Sequence, residues 1–76
     1  MSSRATLEYL VSFLVDHPDD VRIEEEESRG TIVYELIVHP DDVGKVIGRG
    51  GRIARAIRTV VKAAAGGEDV LVEIVD

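Results

Sequence analysis

The sequence has no cysteine, which removes both the disulfide staple and the thiolate metal site from the options open to a short chain. No apolar run is long enough to span a membrane and no secretory leader is visible, so the expectation is a cytoplasmic protein without a membrane partner. Aromatic residues are nearly missing: Tyr9, Phe13 and Tyr34 are the whole set. Histidine occurs twice, each time directly before a proline (His17, His39), and no serine–histidine–acid arrangement suggests itself. The sequence therefore predicts no enzyme: no catalytic residue, no metal ligand set, no cofactor and no small-molecule substrate.

One further absence is local. Residues 43–67 contain no acidic residue, but they hold Lys45, Arg49, Arg52, Arg55, Arg58 and Lys62. The other fifty-one residues carry three cations and all fifteen acids, so a formal net charge of −6 hides a cationic segment on an acidic body. A net negative chain argues against nucleic acid as a partner. A concentrated positive segment argues for it, because screening hides charges beyond about 8–10 Å. With 45% apolar and 32% charged residues, the chain has the composition of one folded domain over residues 1–76, small enough for its core to be marginal.

Inside the cationic segment lies Val46-Ile47-Gly48-Arg49-Gly50-Gly51-Arg52-Ile53. An apolar step, a Gly-x-x-Gly turn and an amphipathic run predict two helices joined by a tight, glycine-lined corner. Glycine has no Cβ to hold a guest backbone away. The second helix opens at the turn with unpaired N–H groups and its positive dipole end. Arg49 and Arg52 add fixed charge, so the natural guest is a phosphate-bearing backbone. Two other glycine-loop readings fail. A dinucleotide fingerprint needs wider glycine spacing directly after a strand, and a Walker loop needs Gly-Lys-Ser/Thr where Arg52 follows Gly51.

From the start of the chain, Leu7, Leu10, Val11 and Leu14 mark a helix over 3–15 capped by Ser2 or Ser3, ended before Pro18. Residues 21–28 alternate, then run into four glutamates, and read as a solvated edge strand. Residues 31–38 are strongly β-prone and complete a hairpin across Ser28-Arg29-Gly30. His39-Pro40-Asp41-Asp42-Val43 repeats His17-Pro18-Asp19-Asp20-Val21, but the flanks do not repeat, and the pattern reads as coincidence. Pro40, Asp41 and Asp42 suit the start of a helix over 41–47. A helix over 52–65 follows, with Ile53, Ile57, Val61 and Ala64 as its core stripe and Arg52, Arg55, Arg58 and Lys62 opposite. Gly66-Gly67 stops it, and residues 70–75 form the last strand.

The run from Pro40 through Val61, with its Gly-x-x-Gly turn, resembles the KhpA family of small bacterial KH-domain proteins. The resemblance implies an α+β fold of the type II KH kind, α-β-β-α-α-β, with a three-stranded mixed sheet covered on one face by three helices. The second and third strands form its parallel pair, since only their connection can cross over. It implies single-stranded RNA as partner, with Lys45, Val46, Ile47, Gly48, Arg49, Gly50, Gly51, Arg52, Ile53 and Arg55 as contacts. In that arrangement Val46, Ile47 and Ile53 wall a groove for a few bases. Family members carry a basic residue inside the turn, which Arg49 supplies, whereas Gly50 replaces a larger polar or basic residue. With no aromatic in the motif, base stacking is not the main source of affinity. The resemblance also implies self-pairing or pairing with a KhpB-like protein, and a role in bacterial cell division or elongation. On the long helix, Ala56, Val60 and Ala63 form a strip between the core stripe and the arginines that suits a homodimer. A single-stranded DNA binder, or a protein–protein module with a vestigial turn, stays open at this point.

Overall fold

A computed structural model describes all residues, 1–76. Helix α1 spans Ser3–Ser12, strand β1 Arg22–Ser28, strand β2 Thr31–Ile37, helix α2 Val43–Ile47, helix α3 Arg52–Ala64 and strand β3 Asp69–Ile74. Short 3-10 turns stand at Pro18–Asp20, Pro40–Asp42 and Arg49–Gly51. The sheet order is β1-β2-β3, with β1 antiparallel and β3 parallel to the central β2. The α+β architecture and the parallel pair are those expected.

The local reasons are legible. Ser2 is the cap of α1, its hydroxyl accepting the Ala5 N–H at 3.1 Å. The β1–β2 loop is the two residues Arg29 and Gly30, both at positive φ (53° and 84°), the backbone that suits a two-residue hairpin. Leu7 and Val11 of α1, Val46 of α2, and Ile57 and Val61 of α3 meet Tyr34, Leu36, Val70 and Val72 of the sheet in one core. Tyr34 is buried as well, and its hydroxyl is satisfied by Ser3 Oγ at 2.6 Å. No helix is long and apolar enough to cross a membrane.

Two expectations need correction. Helix α1 stops at Ser12 rather than residue 15: the Ser12 hydroxyl donates to Tyr9 O at 2.6 Å, and residues 13–16 turn toward α2. The buried line on α3 is Ala54, Ile57 and Val61, with Ile53 and Ala64 only half-buried, so the core stripe is rotated toward Ala54. The repeated His-Pro-Asp-Asp segments, read as coincidence rather than duplication, meet in space. Both form 3-10 turns, and His17 stacks on His39 with ring centroids 3.9 Å apart.

Candidate nucleic-acid interface

Helix α2 is five residues long and ends at Ile47 because Gly48 leaves the helix at φ 75°, ψ 173°. A Cβ on Gly48 would lie 2.6 Å from Ile53 Cγ1, so the first residue of α3's apolar edge fixes glycine there. The corner closes with the Gly51 N–H donating to Gly48 O at 3.1 Å. Gly50 (φ 63°, ψ 19°) and Gly51 (φ 76°, ψ 16°) are left-handed, and a Cβ on either would meet nothing within 4 Å. The outer side of the turn is therefore bare backbone open to solvent. Helix α3 starts at Arg52 with no side-chain cap and no acid in its first turn, so nothing in the chain neutralises its positive end.

The cations sort into two groups. Arg49, Arg52 and Arg55 are exposed and form no salt bridge. Arg55 Nη2 lies 3.5 Å from Gly50 O, which holds its guanidinium near the turn. Lys45, expected at the phosphates, is committed elsewhere: its ammonium donates to Asp16 at 2.6 Å and to the fully buried Asp42 at 3.1 Å. Those two carboxylates raise its pKa. Arg58, expected on the free face, is half-buried with its Nε donating to Val72 O at 3.0 Å, where it covers an outer carbonyl of β3.

The apolar residues sort similarly. Val46 is fully buried and belongs to the core, so it walls no groove. Ile47 and Ile53 are half-buried. Ile53 opens into a cleft of about 340 Å³ between α1 and α3, lined also by Leu10, Phe13, Leu14, Ala56 and Val60. Ala56, Val60 and Ala63 are all exposed. Sequence reasoning missed the aromatic pair at this cleft: Phe13 lines it, and Tyr9 packs edge to face on Phe13 at 4.9 Å, the two staying 56% (Tyr9) and 71% (Phe13) exposed. Their i, i+4 spacing, off the Leu7–Val11 line, was the available signal.

His17, His39 and Asp41 bring possible ligand atoms within 4.8 Å of one another. The imidazoles are stacked 20° from parallel, however, and His39 Nδ1 accepts the Asp41 N–H at 3.0 Å. In-plane lone pairs of stacked rings do not converge on one point, and His39 serves as the cap of its turn.

Comparison with known proteins identifies the family and relatives of the chain. The sequence model of the family "KhpA/KhpB, KH domain" matches residues 4–74. The chain is 57% identical over 70 residues to the RNA-binding protein KhpA of Streptomyces coelicolor, covering 92% of this chain and 87% of that protein. It is 56% identical over 61 residues to the RNA-binding protein KhpA of Oceanobacillus iheyensis (80% and 81% covered). With the RNA-binding protein KhpA of Mycobacterium tuberculosis strain H37Rv it shares 54% over 70 residues (92% and 86%).

Proposed function

This chain belongs to the KhpA/KhpB KH-domain family, and we propose that it binds single-stranded RNA by gripping the phosphate backbone at the 48–51 turn. The observation that carries this reading is the conjunction at one corner of three unpaired arginines, an uncapped helix start and two glycines with open space where a Cβ would stand. Anions gain there from oriented N–H groups and from cations that no carboxylate competes for. Ile47 and Ile53 offer apolar contact to the first bases beside the turn, so base selectivity is modest and rests on shape rather than stacking. The guest is RNA by family; the same turn also accepts a single-stranded DNA backbone, and a 2′-hydroxyl contact is what would separate them.

The test replaces Arg49 and Gly50 by aspartate together. Aspartate tolerates the left-handed backbone of Gly50 better than most residues, and both positions are solvent-exposed. Anisotropy titration of a labelled short single-stranded RNA is expected to lose measurable binding while the melting temperature changes little. Unchanged affinity removes the turn from the interface.

A second feature supports pairing. The exposed Ala56, Val60 and Ala63 strip adjoins the apolar cleft lined by Phe13, on which the exposed Tyr9 packs, and small side chains let a second helix approach closely. We propose as partner a second copy of the chain or a KhpB-like protein and, in keeping with the family resemblance, RNA work in the bacterial cytoplasm that bears on cell division or elongation.

A further inference from the structure

The helices cover one face of the sheet and leave the other bare. Alternation along the strands puts Glu24 and Glu26 of β1, Val33, Glu35 and Ile37 of β2, and Leu71 and Glu73 of β3 on that bare face. The register sets Glu24 opposite Glu35, and Glu35 opposite Glu73, so three carboxylates form one rung across the whole sheet. Side chains in such a rung have Cβ atoms about 4.5–5.5 Å apart, and like charges placed so oppose each other. None of the three enters a salt bridge. Apolar residues flank the rung: Val33 and Leu71 are paired on one side, with Glu26 opposite Val33 at the β1 edge, and Ile37 stands on the other; Leu71 is 39% exposed. The strands give this face one cation, Arg22, which is opposite Ile37 at the margin and likewise forms no salt bridge.

We infer that the bare sheet face is a docking surface for a basic amphipathic segment of another protein, which lays a guanidinium or ammonium group over the glutamate rung and apolar side chains on both flanks. Charge complementarity selects this occupant. Nucleic acid and anionic membrane are repelled by the rung, and a second copy of the chain would set acid against acid. A lone cation would relieve the repulsion but leave the flanking apolar side chains in water. A partner that does both gains the charge relief that the free domain lacks, together with the apolar area. The surface lies across the sheet from the helical layer that holds the 48–51 turn, so protein and RNA would bind at once.

The probe is a short synthetic peptide with arginines along the centre of a leucine face, titrated into the isotope-labelled domain and followed by amide chemical shifts. Shifts are expected to concentrate at residues 33–37 and 71–73 and to spare residues 48–55, with affinity unchanged by added single-stranded RNA. Glu35→Lys places a cation between Glu24 and Glu73. It is expected to raise the melting temperature while weakening the peptide by about tenfold or more. Opposite movement of stability and affinity cannot arise from unfolding. The inference is overturned by shifts that map elsewhere, by competition with RNA, or by oligo-arginine of equal charge binding as well as the amphipathic peptide. It is equally overturned by magnesium alone reproducing the shifts, or by a lower melting temperature in Glu35→Lys.

Discussion

Asp42 has no solvent exposure and yet stays ionised, because its carboxylate is surrounded by donors from another part of the chain. It accepts the Asp16 N–H at 3.2 Å, the His17 N–H at 2.9 Å and the Lys45 ammonium at 3.1 Å. Burial pushes its pKa up; the hydrogen bonds from Asp16, Lys45 and His17 outweigh burial and hold it at about 2, below the ordinary 3.8. A depressed carboxyl pKa adds stability above the ordinary value and loses it as pH falls toward the folded value. Here that window runs from about pH 4 down to about pH 2. Lys45, with a raised pKa, acts in the opposite sense: its contribution is complete below its ordinary 10.5 and is lost only as pH rises through the folded value. Asp42→Asn is therefore expected to melt below the unmodified protein at neutral pH, with the gap closing across pH 4 to 2. Calorimetry over that range checks it, and a gap independent of pH would assign the loss to packing instead. The sequence placed Asp42 at the start of a helix, where it does lie. What it caps is not its own helix but the chain leaving α1, twenty-six residues earlier, and no local pattern announces a partner at that distance.

At the scale of elements, α3 and the turn before it decide how many charges reach a phosphate. Six cations lie between Lys45 and Lys62 in sequence, but Lys45 is taken by two carboxylates and Arg58 by a strand carbonyl. Arg49, Arg52 and Arg55 remain around the turn, with Lys62 nearly two helical turns beyond Arg55. Three phosphate contacts predict a slope of log affinity against log salt of about −2, or roughly fifteenfold weaker binding between 50 and 200 mM. Five contacts would give about −3.5. Titrations at several salt concentrations separate the two, and the steeper slope would mean that Lys45 and Arg58 leave their partners when RNA binds. Helical periodicity put Arg52, Arg55 and Lys62 in solvent, where they lie, because 100° per residue depends on nothing outside the helix. It put Ile57 and Val61 on the core line, as they lie, but chose Ile53 and Ala64 where the buried line takes Ala54, because that choice depends on how α1 lies against α3. It assigned Arg58 to solvent because β3, which supplies its acceptor, lies fourteen residues later in the chain.

At the scale of the molecule, the question is what a 76-residue chain does with an apolar cleft on its surface. A standard stable interface takes about 800 Å² from each partner, near one sixth of the 4856 Å² that this chain exposes. Ala56, Val60 and Ala63 are too small to supply that area alone. Tyr9 and Phe13, which continue the strip across α1, bring it within reach, since aromatic side chains carry the largest apolar area per residue. Pairing would also join two turns in one particle and turn the second RNA contact into an intramolecular event, offsetting the weakness of a site with three free arginines. Val60 lies at the centre of this strip and is 44% exposed, so an aspartate there is solvated in a monomer and buried without a partner in a dimer. Val60→Asp is expected to convert a dimer to a folded monomer and to lower the affinity for a long single-stranded RNA more than for a short one. Sedimentation of both proteins at tens of micromolar, together with their melting curves, checks the first part, and RNA titrations at two lengths check the second. A monomeric unmodified protein at that concentration would leave the strip as helix surface and hand the exposed aromatic pair to a different partner.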